Sequence, residues 1–488
     1  MNPKPLFSKI VVFIFSLLIL SLFPANSIAD PVMQTTTIPP DLSAQELVSR
    51  MRVGWNLGNT FDAWGAPGSR LTGGIGAVET LWIGGTANLT TQTLIQEVRQ
   101  AGFDTLRVPI TWSKVADPDN SWQIREDWIE RVRTVVDWAL EEDMFVIINA
   151  HHENTALALD IEDASLYTHP GNYFITNIWR QIAEAFIDYD ERLIFASLNE
   201  PRHEGGSNEW WGATQNVRDN VNYLNQAFVN VVRATGGNNM YRILQVPTVA
   251  AGATPNGMRD FVVPHDPLNP YVNKIIWSIH TYSPFDWAHD GIGTYPGSSG
   301  IISDLTNVAQ NAERLGLPVI LGEWGSIHVS RGHGTNQTLR DTQRPIHAED
   351  YVRAARELGM VTVWWDNGGF TGTEHTFGII RRNYPHEISE LHQELINGIM
   401  RGRGDYNYVR YVVFAVEEEM EEETYDVNYF ENIVNGSVIN DVDDYETDVA
   451  DSVRANILMW VIICVGILIV ILISMLALFY QRCHPRKG

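Results

Sequence analysis

The amino-acid sequence predicts a (β/α)8 barrel, and three observations lead to this fold class. Between about residue 50 and residue 400, short apolar runs of strand character alternate with amphipathic helical stretches, as in repeated βα units around a parallel sheet. There are eight such runs, the strand number of a closed (β/α)8 barrel. No glycine-rich phosphate-binding turn follows the first run, so an open dinucleotide-binding sheet is not favoured.

The eight predicted strands are rich in β-branched and aromatic residues and end in polar or turn residues. They cover residues 52–59, 103–109, 144–150, 193–199, 241–247, 274–281, 318–323 and 360–366. Helical periodicity lies between most of them, as in TLIQEVRQAG, DWIERVRTVVDWALEED, VNYLNQAFVNVVRATGG and EDYVRAARELG. A last helical pattern, HEISELHQELINGIM, closes the series.

The first 29 residues are predicted to be a cleaved signal peptide. Two lysines precede an apolar stretch at residues 10–23, and the small residues Ser27 and Ala29 suit a cleavage site. An uncleaved anchor is the alternative, but the apolar stretch is short for a bilayer span. We therefore expect the barrel domain to occupy residues 30–402.

The composition changes after the barrel. Residues 403–456 are predicted to form an acidic stalk, because residues 411–453 include 14 acidic side chains and no basic one. The early part of this segment, DYNYVRYVVFAV, either adds an edge strand or packs on the barrel. Residues 457–480 carry no charge and as a helix would reach about 36 Å, enough to cross a bilayer.

Basic residues follow the apolar stretch, at Arg482, Arg486 and Lys487, whereas the segment before it is acidic. The positive-inside bias then places residues 481–488 in the cytoplasm and the barrel outside. The sequence thus predicts a single-pass type I membrane protein of the cell surface.

Charge and cysteine content exclude several classes of function. The net charge of −25 argues against nucleic acid as a partner, because phosphates need a basic surface, and it suits a neutral ligand. The two cysteines, Cys464 and Cys483, lie in or just beyond the predicted span. The predicted barrel therefore has neither disulfides nor a cysteine metal site.

Two glutamates follow short apolar runs, Glu200 in LIFASLNEPR and Glu323 in LPVILGEWG. A carboxylate at the end of a buried strand needs hydrogen-bond partners or a chemical purpose, and two structural ion pairs are the alternative interpretation. Two carboxylates in one cleft suit retaining glycoside hydrolysis, which needs them about 5 to 5.5 Å apart.

The neighbours of the two glutamates favour different roles for them. Asn199 precedes Glu200 and can donate to a sugar hydroxyl, which favours Glu200 as general acid and then base. Arg107 and Tyr282 are candidates to keep Glu323 ionised, which favours Glu323 as nucleophile.

Seven motifs occur in order along the chain: GWNLGNT, LRVPITW, INAHHE, SLNEPR, IHTYSP, ILGEWG and VWWDNG. In these motifs residues 42–400 resemble glycoside hydrolase family 5, whose paired glutamates follow the fourth and seventh barrel strands. GWNLGNTFDAW together with VWWDNG resembles the endoglucanase and xyloglucanase branch, subfamily 4. The resemblance implies the acid/base role for Glu200 and the nucleophile role for Glu323.

The resemblance also implies a set of supporting residues around the two glutamates. It implies that Trp365 is a platform for a sugar ring. It also implies that five residues support the active site: Arg107, His151, Asn199, His280 and Tyr282. His152 and Asn59 are implied to contact sugar in the neighbouring subsite.

The consecutive residues His151, His152 and Glu153 are of metal-ligating types. They lack the i, i+4 helical spacing of zinc metalloproteases and come at a strand end. We therefore predict that neither a metal nor any other cofactor takes part.

The predicted function is that of a retaining endo-β-1,4-glucanase acting on cellulose, mixed-linkage glucan and xyloglucan, with a monomeric catalytic domain. A xylanase or mannanase of the same fold is an alternative, because loop contacts set the preference for a polysaccharide backbone. A non-hydrolytic membrane glycan receptor is the alternative from another class.

Overall fold

The structure is a computed structural model that describes most of the barrel region and nothing of the two ends of the chain. The described residues are 37–65, 72–84, 88–154, 158–162, 170–268, 272–331, 336–369, 376–382 and 390–404. Within these ranges no helix combines the length and apolar character that a membrane crossing requires. The predicted signal peptide, nearly all of the predicted stalk, and the predicted span and tail lie outside the described residues.

Eight parallel strands close into a barrel, which confirms the predicted fold class. The strands are β1 (Val53–Asn56), β2 (Thr105–Val108), β5 (Phe145–Asn149), β6 (Leu193–Ala196), β7 (Leu244–Gly252), β8 (Ile275–His280), β9 (Val319–Trp324) and β10 (Val361–Trp364). Pairing of β1 with β10 completes the circle. Two further short strands, β3 (Ala116–Asp117) and β4 (Gln123–Ile124), form an antiparallel hairpin in the loop after β2.

Helices follow the strands and surround the barrel, as the alternating sequence pattern predicts. The longer ones are Gln92–Gln100, Glu126–Glu141, Pro170–Ala185, Gln215–Ala234, Ser299–Leu315, Gln337–Glu357 and Glu390–Arg403. Shorter ones are Ala44–Arg50, Ile75–Glu79, Pro255–Met258 and Phe285–Ala288. Side-chain caps begin several of them: Thr91 accepts from the Leu94 amide and Thr214 from the Val217 amide, satisfying donors that the first turn leaves free.

The fifth barrel strand is displaced along the chain from its predicted position at 241–247. It begins at Leu244, because residues 237–240 form a 3-10 turn, and it continues to Gly252. Pro247 lies inside it and has no N–H to donate, and the register with β8 shifts between Pro247 and Gly252. The strand therefore continues past Pro247, with an irregular register after it.

The helix predicted from EDYVRAARELG begins twelve residues before Glu349, at Gln337, and contains Pro345. Asn336 starts it by accepting a hydrogen bond from the Leu339 amide at 3.1 Å. The last helix packs closely on this one, since a Cβ at Gly398 would lie 2.2 Å from the Pro345 carbonyl oxygen. The observed helix therefore runs through Pro345, which lies ahead of the predicted helical segment.

The interior of the barrel is apolar in its lower part and polar near the carboxyl ends of the strands. Ile147, Ile194, Ile276 and Ile320 belong to one buried cluster within it. Aromatic and aliphatic side chains fill the second layer, between strands and helices. Chemistry is therefore confined to the carboxyl end, as in other barrels of this type.

Candidate active site

A β-bulge in β9 brings Glu323 into the barrel. Leu321 and Trp324 both pack outward, against the helix layer, with two residues between them where a regular strand has one. The pairing of β9 with both of its neighbours shifts at this point. The extra residue turns Glu323 inward, and only 5% of its surface is exposed.

Two donors hold the Glu323 carboxylate. Arg107 Nη1 donates to Oε1 at 2.9 Å, and the Tyr282 hydroxyl donates to Oε2 at 3.0 Å. The guanidinium is itself buried, so the charge interaction acts with little screening by water. Such a charge-assisted pair suits a carboxylate that must attack as an anion.

Arg107 also organises the neighbouring amides. Its Nη1 donates to Asn56 Oδ1 at 2.7 Å, and its Nη2 donates to Asn199 Oδ1 at 2.6 Å. Because the Asn199 oxygen is occupied in this way, its amide N–H groups are the part available to a sugar hydroxyl.

Asn56 is a buried residue of this site that the sequence prediction did not include. Its Nδ2 donates to the carbonyl of Gly322 at 2.9 Å and of Trp364 at 3.1 Å, so it ties β1 to the bulge that carries Glu323. A polar side chain inside the buried run VGWN was the available signal. The predicted residue of that motif, Asn59, has φ 56° and donates its backbone N–H to Asp62.

Glu200 lies in the loop four residues beyond the end of β6. Its Oε1 is 2.9 Å from His280 Nδ1, and 17% of the carboxylate side chain is exposed. Burial raises the pKa of Glu200, against the charges of Arg202, Arg107 and His289, which lower it. A raised pKa keeps a carboxyl group protonated into the range where it can act as a general acid.

His280 lies between the two carboxylates. Its Nδ1 is 3.8 Å from Glu323 Oε2, and each glutamate has an oxygen within 4.8 Å of the other's. This proximity fits the short carboxyl separation of retaining glycosidases rather than the wider one of about 6.5 to 9.5 Å in inverting enzymes. Burial lowers the pKa of His280 to about 4, so its ring is neutral at neutral pH.

His151, His152 and Trp365 form one wall of the site. The His151 ring stacks on Trp365 with a centroid distance of 5.9 Å and an interplanar angle of 4°. His152 meets His151 edge to face at 4.5 Å and contacts Trp82 at 5.5 Å. Gly58 makes room for this wall, since a Cβ there would lie 2.7 Å from the Trp365 ring.

Asp62 lies beneath the histidine pair and was not predicted as a site residue. Its Oδ2 is 3.9 Å from Nε2 of both His151 and His152, and its carboxylate accepts the backbone N–H groups of Asn59 and Thr60. Burial raises its pKa to about 7, although those hydrogen bonds act in the opposite direction. Asp62 therefore connects the loop after β1 to the histidine wall.

A cavity of about 690 Å³ connects these groups. Eight of the predicted site residues line it: His151, His152, Asn199, Glu200, His280, Tyr282, Glu323 and Trp365. Arg107 lies beneath the lining, and Asn59 is not among the lining residues. Three exposed aromatic side chains at the rim, Trp210, Trp211 and Phe285, also contribute to it.

Among the described residues, two groups of three side chains have ligand atoms within 4.8 Å of one another, as a metal site would require: Asp62, His151 and His152; and Glu200, His280 and Glu323. The first carboxylate is already held by two backbone N–H groups. The second group consists of the two glutamates and the imidazole between them. The absence of a metal from the reaction stays a prediction.

A closed (β/α)8 barrel with two adjacent glutamates in different environments, lying in a cavity with an aromatic wall, defines a glycoside hydrolase of the paired-carboxylate class. Residues 62–371 match the family Cellulase (glycosyl hydrolase family 5). The chain belongs to this family, as its sequence motifs predicted.

Individual relatives agree with this assignment. Endoglucanase A of Clostridium longisporum is 39% identical over 365 residues, which cover 73% of this chain and 66% of the relative. Cellulase/esterase CelE of Acetivibrio thermocellus is 36% identical over 370 residues, 75% of this chain and 41% of the relative. The chain thus spans less than two thirds of the length of these two relatives.

A solved structure shares the fold over the same region. It is described as a GH5-4 broad specificity endoglucanase from Ruminococcus champanellensis with bound cellotriose. The similarity has a TM-score of 0.65 and 35% sequence identity, and it covers 74% of this chain and 99% of that one.

Proposed function

We propose that this protein is a retaining endo-β-1,4-glucanase. The observation that carries the proposal is the adjacency of Glu200 and Glu323, each with an oxygen within 4.8 Å of the other's, in surroundings that differ. Glu323 faces a guanidinium and a phenol, whereas burial favours the protonated form of Glu200. One carboxylate is suited to attack and the other to give a proton.

The reaction proceeds by two displacements. In the first, Glu323 attacks the anomeric carbon, the bond from that carbon to the glycosidic oxygen breaks, and Glu200 gives its proton to the departing oxygen. In the second, the Glu200 carboxylate takes a proton from water, the water oxygen attacks the anomeric carbon, and Glu323 leaves as a carboxylate. Two inversions give net retention of configuration, and no cofactor is consumed.

The substrate class is proposed to be β-1,4-linked glucan, including cellulose, mixed-linkage glucan and xyloglucan. The wall formed by Trp365 and His151 offers flat faces to pyranose rings. The similar Ruminococcus champanellensis protein is described as a broad specificity endoglucanase and holds cellotriose. Xylan and mannan are the competing substrates, because loop contacts around the cavity decide which backbone fits.

We also propose that the enzyme acts at the cell surface, tethered by a helix formed by residues 457–480. The support is compositional: 24 consecutive residues carry no charge, with acidic residues before them and basic residues after them. The acidic segment 403–456 would then separate the barrel from the membrane. Membrane fractionation of expressing cells tests this, since release of the full-length chain by alkaline carbonate would rule out a spanning helix.

A polysaccharide panel tests the catalytic proposal. The full-length protein, in detergent, is incubated with carboxymethyl cellulose, mixed-linkage glucan, xyloglucan, xylan and mannan, and reducing ends are counted. We expect release from the three glucans, with the β-anomer appearing first by NMR. Binding to glucans without any release would instead support a receptor, and first appearance of the α-anomer would rule out retention.

A further inference from the structure

Arg202 lies two residues after the acid/base candidate and contacts both the start of this loop, at Glu200, and its later part, at Glu209 and Trp210. Its guanidinium carbon is 4.0 Å from the centroid of the Trp210 ring. Its Nη1 donates to the backbone carbonyl of Glu200 at 3.1 Å, and its Nε donates to Glu209 Oε1 at 2.8 Å. Only 14% of the Arg202 side chain is exposed.

The loop is built around this arginine. The second oxygen of Glu209 accepts the Gly205 N–H at 2.8 Å, which closes the turn between them. Asn154 donates to the same Glu200 carbonyl at 3.0 Å from the neighbouring loop. Arg202 is therefore held on several sides, and the Trp210 ring rests on a fixed planar cation.

Trp210 keeps an open surface towards the cavity. It lines the cavity and remains 47% exposed although Arg202 covers part of its ring. An aromatic side chain of this kind offers an apolar face to a pyranose ring, and fixing its plane in advance reduces the ordering cost of binding.

The position of Trp210 assigns it to one end of the substrate. Glu200 gives its proton to the departing oxygen, so the departing sugar lies on the Glu200 side of the scissile bond. Trp210 belongs to the loop that continues from Glu200 after β6, whereas Trp365 follows β10, which lies on the far side of the barrel from β6, and packs at Gly58. Trp210 thus faces the sugar that leaves.

We propose that Arg202 is a positioning residue that fixes the Trp210 ring as a platform for the departing sugar and ties this platform to the backbone of Glu200. The inference rests on the proposed function, because it uses Glu200 as the acid. Binding on the departing side then contributes to the first chemical step, rather than to substrate affinity alone.

The test compares two substrates that differ only on the departing side. Cellotetraose cleaved into two cellobiose units places sugars beyond the scissile bond, whereas 2,4-dinitrophenyl β-cellobioside places only an aryl group there, which leaves without a proton. The variants are Arg202→Met, Trp210→Leu and the double variant, in the full-length protein. Arg180→Met is the matched control, because it removes an exposed arginine paired with Glu184 within one helix.

We expect kcat/KM for cellotetraose to fall about 10-fold in either single variant, and by no more in the double variant, because both changes remove the same contact. On the aryl substrate the loss should be less than about 3-fold. Arg202→Lys keeps the charge but not the planar stack, so it should resemble Arg202→Met on cellotetraose. The Arg180→Met control should leave both rates unchanged.

An equal loss of kcat/KM on both substrates would assign Arg202 a merely structural role and overturn the inference. It would also be overturned if the loss of kcat/KM in the double variant were the product of the losses in the two single variants. Wild-type rates in Arg202→Met would overturn it while leaving the proposed function intact. Failure of the unmodified protein to cleave either substrate would overturn the proposed function and the inference together. Matched circular dichroism spectra and Tm values verify that all variants fold.

Discussion

Glu323 lies inside strand β9 with two donors on its carboxylate, whereas Glu200 lies in a loop four residues beyond β6 with one imidazole partner. The strand position and the pairing of Arg107 leave Glu323 little freedom. Glu200 depends instead on loop contacts. Arg202 and Asn154 both donate to the backbone carbonyl of Glu200. The proposed nucleophile is thus fixed by the barrel, and the proposed acid by loop contacts.

This difference matches what the proposed mechanism requires of each carboxylate. A nucleophile must meet the anomeric carbon along one line, so a rigid strand is an advantage. An acid that later becomes a base must change its protonation state twice in one cycle. A partly exposed carboxyl beside a neutral imidazole can exchange a proton with water more readily than one paired to a buried guanidinium.

The largest expected effect comes from Glu323→Gln. The amide keeps the size of the side chain but cannot attack, so kcat should fall by more than about 10⁴-fold on glucan and on an aryl β-cellobioside alike. Reducing-end release and dinitrophenolate release measure the two rates. Glu313→Gln, on an exposed helix position, serves as the control with unchanged rates. Retention of a tenth of the activity would exclude Glu323 as the nucleophile.

Glu200→Gln should have a smaller and substrate-dependent effect. On glucan we expect kcat to fall by about 10² to 10⁴-fold, because the leaving oxygen is no longer protonated. On 2,4-dinitrophenyl β-cellobioside the first step should survive, giving a burst of dinitrophenolate followed by slow turnover. Added azide should speed this slow phase, since it attacks without a general base. No burst and no response to azide would remove Glu200 from the acid/base role.

Gly322→Ala should disturb both carboxylates at their common neighbour. A Cβ at this position would lie 2.8 Å from His280 Nε2, so the imidazole must move and its contact with Glu200 lengthens. A misplacement of a catalytic contact by about 1 Å can lower kcat by about 10²-fold, and we expect a loss of this order. Gly300→Ala is the matched control, because a Cβ there meets nothing within 4 Å. A wild-type rate in Gly322→Ala would show that the His280 position is not critical.

Strand periodicity and the polar residues at strand ends were enough to predict the barrel and the strands that carry Arg107, His280 and Glu323. These signals are local, since each depends on a few adjacent residues. The roles assigned to the individual site residues stay predictions until the variants are measured. The family resemblance added Trp365, which pattern alone could not separate from its neighbour Trp364.

The features that sequence reasoning missed depend on contacts between distant segments. Asn56 holds the bulge through the carbonyl of Gly322, a residue that lies far along the chain. The bulge itself is visible only in the pairing of β9 with both neighbours. Arg382 likewise joins the loop after β1 to Asp366 after β10: its Nη1 donates to Thr60 Oγ1 at 2.6 Å, and its Nη2 donates to Asp366 Oδ1 at 2.9 Å. None of these partners can be read from local pattern.

The smallest expected effect is a shift in the pH profile of kcat/KM in Arg202→Met. This shift distinguishes the effect of the Arg202 charge on Glu200 from the effect of its stacking on Trp210. Glu200 must be protonated to act as an acid, so kcat/KM should decline as pH rises through its pKa, which burial places above the ordinary value of 4.5. The titratable and charged groups around this carboxyl are His280, Arg107, Arg202, His289 and Tyr282, besides the carboxylate of Glu323.

Among these neighbours, the Arg202 charge is first among those that lower the pKa of Glu200. Arg202→Met removes it, so the basic limb of kcat/KM on cellotetraose should move to higher pH, because protonated Glu200 then persists further. Arg202→Lys retains the charge and should keep the wild-type limb while still losing the stacking contact with Trp210. A basic limb that stays in place in Arg202→Met would show that this charge does not reach the acid, and the loop would then act on Glu200 through geometry alone.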